Sequence, residues 1–508
     1  MSVESIYKSI ETAKNGSQIP VFQSGKTMES RYNPERDADN LCAGIQKGSF
    51  FLVTGLGSGI FIHKLLEKFP ESKILVLEKQ KEDFSFLMQL ESVKKLSDNP
   101  NVILCSIEDL YTKLSENYLP AKYGDLQIIE QRGWANENQL AALEIKEILK
   151  KTLSVISADY SVQAHFGRLW THNIMCNSTL IEKTINAASS LEEIKKEAAK
   201  GKTALIVAAG PGLDSLIKTI GEERQKNEIF IIATDTAWSS LAENNIRVDA
   251  VVSIDGQSVS YNHFIHKSQQ PVFFFDLCSN NSAARHVIES GAKTVFFSSG
   301  HPLAAALRNF SGGAIPSLFS GSGTVTITAT DLAIKAGFKK IKIAGADFSY
   351  SQGKPYTKGT YLDTLYNMAS KKTQSGELSF SRLMYRTELK RLDQTHKTTA
   401  VLEAYRTSLE NYLHNEGFSF KRENYIYDLW LDENLESQKA EPLHKLNYEP
   451  SKVNSKAFAG ELSKSDPLEI ETILLPYIAY LRHLPSNSEN SYNKLLQLAF
   501  SRIVSYNI

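Results

Sequence analysis

The chain has 508 residues, too many for one hydrophobic core, so two or three domains are expected. Its 57 Lys and Arg residues balance 57 Asp and Glu, which gives no support for bulk attraction to nucleic acid or an anionic membrane. No run of about eighteen apolar residues is present to span a bilayer. The four cysteines, Cys42, Cys105, Cys176 and Cys278, have neither metal-ligand nor redox spacing and read as reduced thiols. The opening residues Met1-Ser2-Val3-Glu4-Ser5 show no signal peptide, and the expected location is the cytoplasm.

Residues 1 to about 45 read as polar and irregular, with a helix starting near Asn33-Pro34-Glu35. Ser49-Phe50-Phe51-Leu52-Val53-Thr54 is a strand, followed by Gly55-Leu56-Gly57-Ser58-Gly59 and an amphipathic helix. Lys73-Ile74-Leu75-Val76-Leu77-Glu78 is the next strand. A glycine turn, a helix and an acid at the following strand end make a Rossmann-like pattern. The spacing is closer to the nucleotide turn of methyltransferases, but glycines also serve turn geometry alone, and the structural reading is preferred. Further strands are expected near Val102 and Ile128, and residues 136–200 read as helical.

A second set of strands begins with Lys202-Thr203-Ala204-Leu205-Ile206-Val207, which runs into the turn Ala208-Ala209-Gly210-Pro211-Gly212-Leu213-Asp214. Glu228-Ile229-Phe230-Ile231-Ile232-Ala233 ends in Thr234-Asp235, and Val248-Asp249-Ala250-Val251-Val252-Ser253 ends in Ile254-Asp255-Gly256. Two phenylalanine-rich strands follow at 271–276 and 293–298. Thr324 to Ala336 is expected to be a helix capped by Ser322, beginning at the turn Ser320-Gly321-Ser322-Gly323 and stopping at Gly337. Lys339-Lys340-Ile341-Lys342-Ile343-Ala344 is then a strand ending in Gly345-Ala346-Asp347, and a loop with Tyr350 and Tyr356 comes next. Strand signals fade after about Ser370. Helices are expected over 399–413 and 470–484, the latter kinked or broken at Pro476, with a polar linker at 439–466.

Several parallel strands that each end in polar residues form a crevice at the carboxyl edge of a sheet, where open α/β folds bind ligands. Gly210-Pro211-Gly212 and Ser322-Gly323 open helices, whose N-termini favour phosphate. Thr234, Asp235, Asp255 and Asp347 at strand ends suit a ribose or a base. No Walker pattern, no clustered Cys/His set and no Gly-x-Ser-x-Gly elbow is present.

As an ordered set, Ala208 to Asp214, Ala233 to Ala237, Val248 to Asp255, Gly321-Ser322-Gly323-Thr324 and Ala344 to Phe348 resemble the Maf family, the motility-associated flagellin glycosyltransferases of bacteria. Ser30 to Arg36 and Thr54 to Gly59 continue the likeness, which covers roughly the first 360 residues. The central part is similar, more distantly, to short bacterial sialyltransferases that use CMP-sialic acid.

The resemblance implies an α/β protein with a Rossmann-like N-terminal domain (1–165), a sialyltransferase-like central domain with a mainly parallel sheet (166–412), and a helical C-terminal domain (413–508). It implies transfer of a nonulosonic acid of the pseudaminic, legionaminic or sialic type from a CMP donor to Ser or Thr hydroxyls of flagellin. No tightly bound cofactor and no nucleic-acid or membrane partner is implied. Metal independence follows from the sialyltransferase likeness, although three aspartates leave room for a divalent ion. By the same comparison Gly210, Pro211 and Gly212 approach the nucleotide, Asp235 and Asp255 the ribose and phosphate, Ser322 and Gly323 the cytidine, and Tyr350 and Tyr356 the phosphate. His396, in Thr395-His396-Lys397-Thr398, matches the general base, with His301 as runner-up. Gly212 stands where a serine is usual, and acids replace asparagines at strand ends. Three alternatives stay open: a hydroxymethylpterin pyrophosphokinase-like enzyme using ATP and Mg²⁺, a methyltransferase centred on Gly55 and Glu78, and a non-enzymatic flagellin-binding factor.

Overall fold

The computed structural model describes residues 4–265, 270–321, 323–423, 425–432, 446–488 and 490–506. They divide into two compact units, one of residues 1–167 and 475–499, the other of residues 168–474 and 500–508.

In the first unit, strands β1 (Tyr7–Thr12) and β2 (Gln18–Phe22) form an antiparallel hairpin in the stretch expected to be irregular. Only Tyr7 of β1 is fully buried, while β2 reads as a short apolar run, so neither strand alternates strongly. The helix Pro34–Ala43 is capped by Asn33, whose side chain accepts from the Arg36 N–H, and Pro34 fills the first turn where an N–H is dispensable. Four parallel strands, β3 (Phe50–Thr54), β4 (Lys73–Glu78), β5 (Val102–Ser106) and β6 (Leu126–Glu130), lie in the order β5-β4-β3-β6. β3 is buried at every residue, which is why it reads as a continuous apolar run. The helix Gln139–Leu180 follows.

The second unit is built on an eight-stranded sheet. Strands β7 (Thr203–Val207), β8 (Ile229–Thr234), β9 (Ala250–Ser253), β10 (Val272–Asp276), β11 (Thr294–Phe297) and β12 (Lys340–Ala344) are parallel. A three-stranded sheet of β13 (Tyr350–Ser351), β14 (Lys390–Arg391) and β15 (His396–Thr398) stands beside it in sequence. The hairpin of β16 (Phe418–Glu423) and β17 (Ile426–Leu431) completes the large sheet, whose order is β11-β10-β9-β8-β7-β12-β17-β16. β17 pairs antiparallel with β12, so the strands do not stop near residue 370 as the sequence suggested. Alternation in β17 is partial, with Tyr427 and Leu429 inward and Asp428 and Trp430 outward, and Pro- and Gly-free flanks give it no boundary signal.

The helix Val325–Lys335 is present, but its N-cap is Thr324; Ser322, expected as the cap, lies outside the described residues. The helix Glu471–His483 runs unbroken with Pro476 inside it. Residues 455–464, placed in a linker by their polarity, form a helix capped by Asn454. Its buried Ser455, Phe458 and Leu462 lie three to four residues apart, a short stripe that the surrounding Ser and Lys residues obscure. Helices alone occupy Ser455–Lys464, Glu471–His483 and Tyr492–Val504.

Candidate active site

In the second unit, β8 to β11 step away from β7 in one direction while β12 lies on its other side. The order of the sheet therefore reverses between β7 and β12, and the loops at their carboxyl ends meet there. From β7 comes Gly210-Pro211-Gly212, and from β12 comes Asp347. The Gly210 N–H donates to the Gly345 carbonyl at 2.8 Å, and the Gly212 N–H donates to Asp347 Oδ1 at 2.7 Å. A Cβ on Gly210 would stand 2.2 Å from Asp347 Oδ2, and one on Gly212 would stand 2.3 Å from the Tyr425 ring. The glycines thus admit a carboxylate and an aromatic ring into the turn.

Asp347 is 3% exposed, and its Oδ2 is buried with no hydrogen-bond partner among the described residues. Burial pushes its carboxyl up to about 6, against the opposing pull of the Gly212 N–H and of Arg422 and His396. The N–H groups of Leu213, Asp214 and Ser215 donate back to Gly210, Pro211 and Gly212. The expectation of open amides at this helix N-terminus is therefore not met: Asp347 holds the Gly212 amide, the Gly345 carbonyl holds that of Gly210, and Pro211 has none.

His396 begins β15. β13 pairs with it so that Ser351 opposes His396 and Tyr350 opposes Lys397, which brings Tyr350 and His396 onto one small sheet. Asp393, three residues earlier, accepts from the His396 backbone N–H at 2.8 Å and places its Oδ2 2.8 Å from Nδ1. Backbone N–H groups of Thr395 and His396 hold the Asp393 carboxyl well below the usual range. Nε2 lies 3.0 Å from the Tyr425 hydroxyl, so both ring nitrogens are engaged. Tyr425 adopts a left-handed conformation with φ of 64°, a rare choice for an aromatic residue, and packs its ring on Gly212. His396, Asp347 and Tyr425, with Arg406, Arg422 and Glu403, line a cavity of about 140 Å³.

The other predicted residues form a second group along the same strand edge. Thr234 caps the helix Asp235–Glu243, its hydroxyl accepting from the Ala237 N–H at 3.3 Å. Asp235 is used internally: it accepts from the Thr236 N–H at 2.7 Å and the Ser253 hydroxyl at 2.7 Å. Asp255 accepts from the Gln257 N–H at 2.8 Å, and its carboxyl is raised first by desolvation, with Asp235 adding to the rise. Tyr356 is 38% exposed, yet its phenol is raised by desolvation and then by Tyr350, Tyr405 and Asp235. Tyr361 joins this group, edge-on to His263 with 4.7 Å between ring centroids. Its phenol is pushed up to about 12 by burial, with Tyr356, Asp255 and Asp235 contributing.

The loop carrying Tyr356 is pinned over the glycine turn. The Thr357 N–H donates to the Ala209 carbonyl at 3.0 Å, and Asp214 accepts from the Thr357 hydroxyl at 2.5 Å and from the Lys358 N–H at 2.9 Å. Gly323 precedes the helix Val325–Lys335, and a Cβ there would meet nothing within 4 Å. Ser322 lies outside the described residues. His301 instead caps the helix Pro302–Phe310 with Nδ1, and burial lowers its ring to about 4. Among the described residues no group of three or more His, Cys, Asp and Glu side chains is placed to hold a metal ion. No described helix is long and apolar enough to cross a membrane.

Sequence reasoning missed Asp393, Tyr425, Arg406 and Arg422, and quoted Asp214 without a role. Asp393 was open to discovery, since an acid three residues before a histidine can share its turn. Tyr425 and Arg422 flank the β16–β17 turn, whose strands had themselves gone unseen.

In the first unit the corresponding crevice, between β3 and β6, is filled by the chain itself. Glu78 is fully buried and accepts from the Leu56 N–H at 2.6 Å, the Tyr7 hydroxyl at 2.9 Å and the Trp134 indole at 2.8 Å. Glu29 accepts from the Ser58 N–H at 2.8 Å and from its hydroxyl. A Cβ on Gly57 would stand 2.1 Å from Met28 Cε. The acid that could have taken a ribose is spent on the fold, which agrees with the structural reading of this turn.

Residues 177–353 match a family model described as MptE-like, 6-hydroxymethylpterin diphosphokinase MptE-like. Uncharacterised proteins of Treponema pallidum (strain Nichols) are similar. One is 36% identical over 118 residues, which is 23% of this chain and 41% of that protein. Another is 29% identical over 158 residues, 30% of this chain and 69% of that protein. The chain thus spans less than half the length of the first of these relatives. The solved structure of a Maf glycosyltransferase from Magnetospirillum magneticum AMB-1 is similar over 99% of this chain and 91% of that one, at 13% identity and a TM-score of 0.44. A likeness that faint decides neither fold nor activity.

Proposed function

We propose that this chain is a glycosyltransferase of the Maf type, which moves a nonulosonic acid from a CMP donor to Ser or Thr hydroxyls of flagellin in the cytoplasm. The observation that carries the reading is the glycine turn at the switch point of the parallel sheet. There Gly210 and Gly212 bring the backbone against Asp347, with His396 and Tyr350 on one flank and Asp235, Asp255 and Tyr356 along the strand ends. The ordered motifs from Ala208 to Phe348 supply the donor class. An activated donor already carries its leaving group, so the protein's work is to orient the acceptor hydroxyl, accept its proton and steady the departing phosphate. Asp347 and the His396–Asp393 pair are the proton acceptors beside the turn, and the tyrosines of the pinned loop are the hydroxyl donors for the phosphate.

The family match over residues 177–353 favours a second reading, a nucleotide-dependent diphosphokinase using ATP and Mg²⁺ at the same crevice. A thermal-shift panel with CMP, CDP, ATP plus Mg²⁺, and S-adenosylmethionine separates the two. A ligand at a hundred times its dissociation constant stabilises the native state by about 2.7 kcal/mol. The expected result is a response to CMP that Asp255→Ala abolishes. A response to ATP plus Mg²⁺ alone would move the assignment to the diphosphokinase, and a response to none of the four would favour a flagellin-binding factor.

A further inference from the structure

The first unit has a cavity at the opposite edge of its sheet from its glycine turn, and every described residue that lines it belongs to that unit. The strands begin there: Ser49 directly precedes β3, Ser72 precedes β4, and Leu126 and Gln127 open β6. The helix Gln139–Leu180 adds Leu153, Ile156, Ser157 and Tyr160. Arg482, Asn490 and Tyr492 come from the segment that returns to this unit from near the end of the chain. A volume of about 1470 Å³ exceeds the roughly 300–1,000 Å³ of an ordinary small-molecule site.

Nearly half of the lining residues are Tyr, Ser, Asn or Gly. Antibody loops grip proteins with the same composition: Tyr offers broad, rigid contact area, while Ser and Asn adapt their hydrogen bonds. Tyr123, Tyr160 and Tyr492 are each partly exposed. Lys122 Nζ lies 5.6 Å from the ring centre of Tyr123 and 5.3 Å from that of Tyr492. Among the described residues four cations, Lys47, Lys68, Lys122 and Arg482, line the cavity against two acids, Glu71 and Asp125. In a chain whose charges cancel, 57 against 57, this is a local excess of positive charge. Two of the cations are fixed by main-chain carbonyls, which hold a charge in place without cancelling it. Lys68 donates to the Cys42 and Ile45 carbonyls at 2.8 Å, and Arg482 donates to those of Ala121 and Lys122.

We propose that this cavity is a docking site for an acidic polypeptide segment of a partner protein. The segment's carboxylates meet the four cations, and its side chains pack on the tyrosines, since aromatic anchors in a pocket concentrate binding energy. Complementary charge selects the partner and speeds its approach. A nucleic acid fits less well. Glu71 and Asp125 repel a backbone charged at every phosphate, whereas a polypeptide sets uncharged residues beside them. The docking site lies wholly in the first unit and stands independently of the glycosyltransferase reading.

The test is fluorescence anisotropy on the full chain with a labelled glutamate–tyrosine copolymer, beside a labelled single-stranded oligonucleotide. Lys47→Glu and Ser157→Glu each bring a negative charge to the cavity at an exposed position, so the fold and the melting temperature should persist. The copolymer should bind the wild type, and each variant should weaken it at least about threefold through lost complementarity. Raising NaCl from about 0.05 M to about 0.5 M should weaken it too, because salt screens the charges. Bound copolymer should slow hydrogen exchange at residues 118–127 and 490–493 and leave residues 203–234 of the second unit unchanged. No binding at about 0.1 mM, binding that both variants leave intact, or protection confined to other residues would each overturn the proposal. An oligonucleotide that binds as tightly as the copolymer and loses affinity in the same variants would overturn the polypeptide as occupant.

Discussion

At the scale of single residues, each unit has a glycine turn and a buried acid that takes an amide of that turn. Asp347 takes the N–H of Gly212, and Glu29 takes that of Ser58. In each, one oxygen is engaged and the other is buried without a partner among the described residues. Burial pushes Glu29 and Glu78 to about 7, outweighing the hydrogen bonds that favour their ionised forms. The sign follows from proton linkage. The folded chain holds these protons up to about pH 7, whereas an unfolded glutamate releases them near 4.5. The stability they confer is therefore full below about pH 4.5 and is lost as pH rises through about 7. Each pKa unit is worth about 1.4 kcal/mol, so one such acid accounts for at most about 3 to 4 kcal/mol over that span. Denaturant unfolding should give a lower free energy at pH 8 than at pH 5. Glu29→Gln, which mimics the protonated acid, should make that difference smaller. An unchanged difference in the variant would show that Glu29 is ionised in the folded chain at both pH values.

At the scale of elements, close approach matters more than propensity. Gly167 lies within the helix Gln139–Leu180, and a Cβ there would stand 1.8 Å from the carbonyl oxygen of Pro476. By propensity alone, Gly to Ala inside a helix gains about 1 kcal/mol. Here the obstacle is backbone, which cannot swing aside as a side chain would. Gly167→Ala should therefore destabilise the protein by about 1–3 kcal/mol, the usual cost of overpacking, and a rise in the denaturant midpoint would contradict this packing. The same contrast explains what could be read in advance. The parallel strands from Phe50 to Ala344 were legible because burial on both faces makes a strand a solid apolar run, and glycine turns punctuate it. The β1–β2 and β16–β17 hairpins were not, because one strand of each, β1 and β16, mixes exposed and buried residues without a strict period and leaves its partner a short isolated run. With β17 unseen, Tyr425 could not be placed beside His396. Gly210, Gly212 and Asp347 were legible as members of one edge, but that the acid would sit inside the turn depends on the β7–β12 pairing and has no local signature.

At the scale of the whole molecule, the first unit is discontinuous in sequence. Residues 475–499 belong with residues 1–167, although some three hundred residues separate the two segments. Nothing in composition or periodicity announces this, since an amphipathic helix shows that it has a partner and not which one. Arg482 makes the return visible: its Nε donates to the Ala121 carbonyl at 2.7 Å and its Nη2 to the Lys122 carbonyl at 3.2 Å. These carbonyls belong to the short helix Pro120–Tyr123, which leads into β6. The guanidinium thus ties the approach to an edge strand to a helix near the end of the chain. Hydrogen bonds from a charged group contribute about 1.5–3 kcal/mol, so Arg482→Ala should weaken the first unit by about that amount. Because opening is local, the loss should be confined to that unit. Hydrogen exchange of residues 118–126 should quicken in the variant, while β7 to β12 keep their protection. Equal quickening in both units would mean that they unfold as one, and unchanged exchange at 118–126 would mean that the return of the chain is held by apolar packing alone.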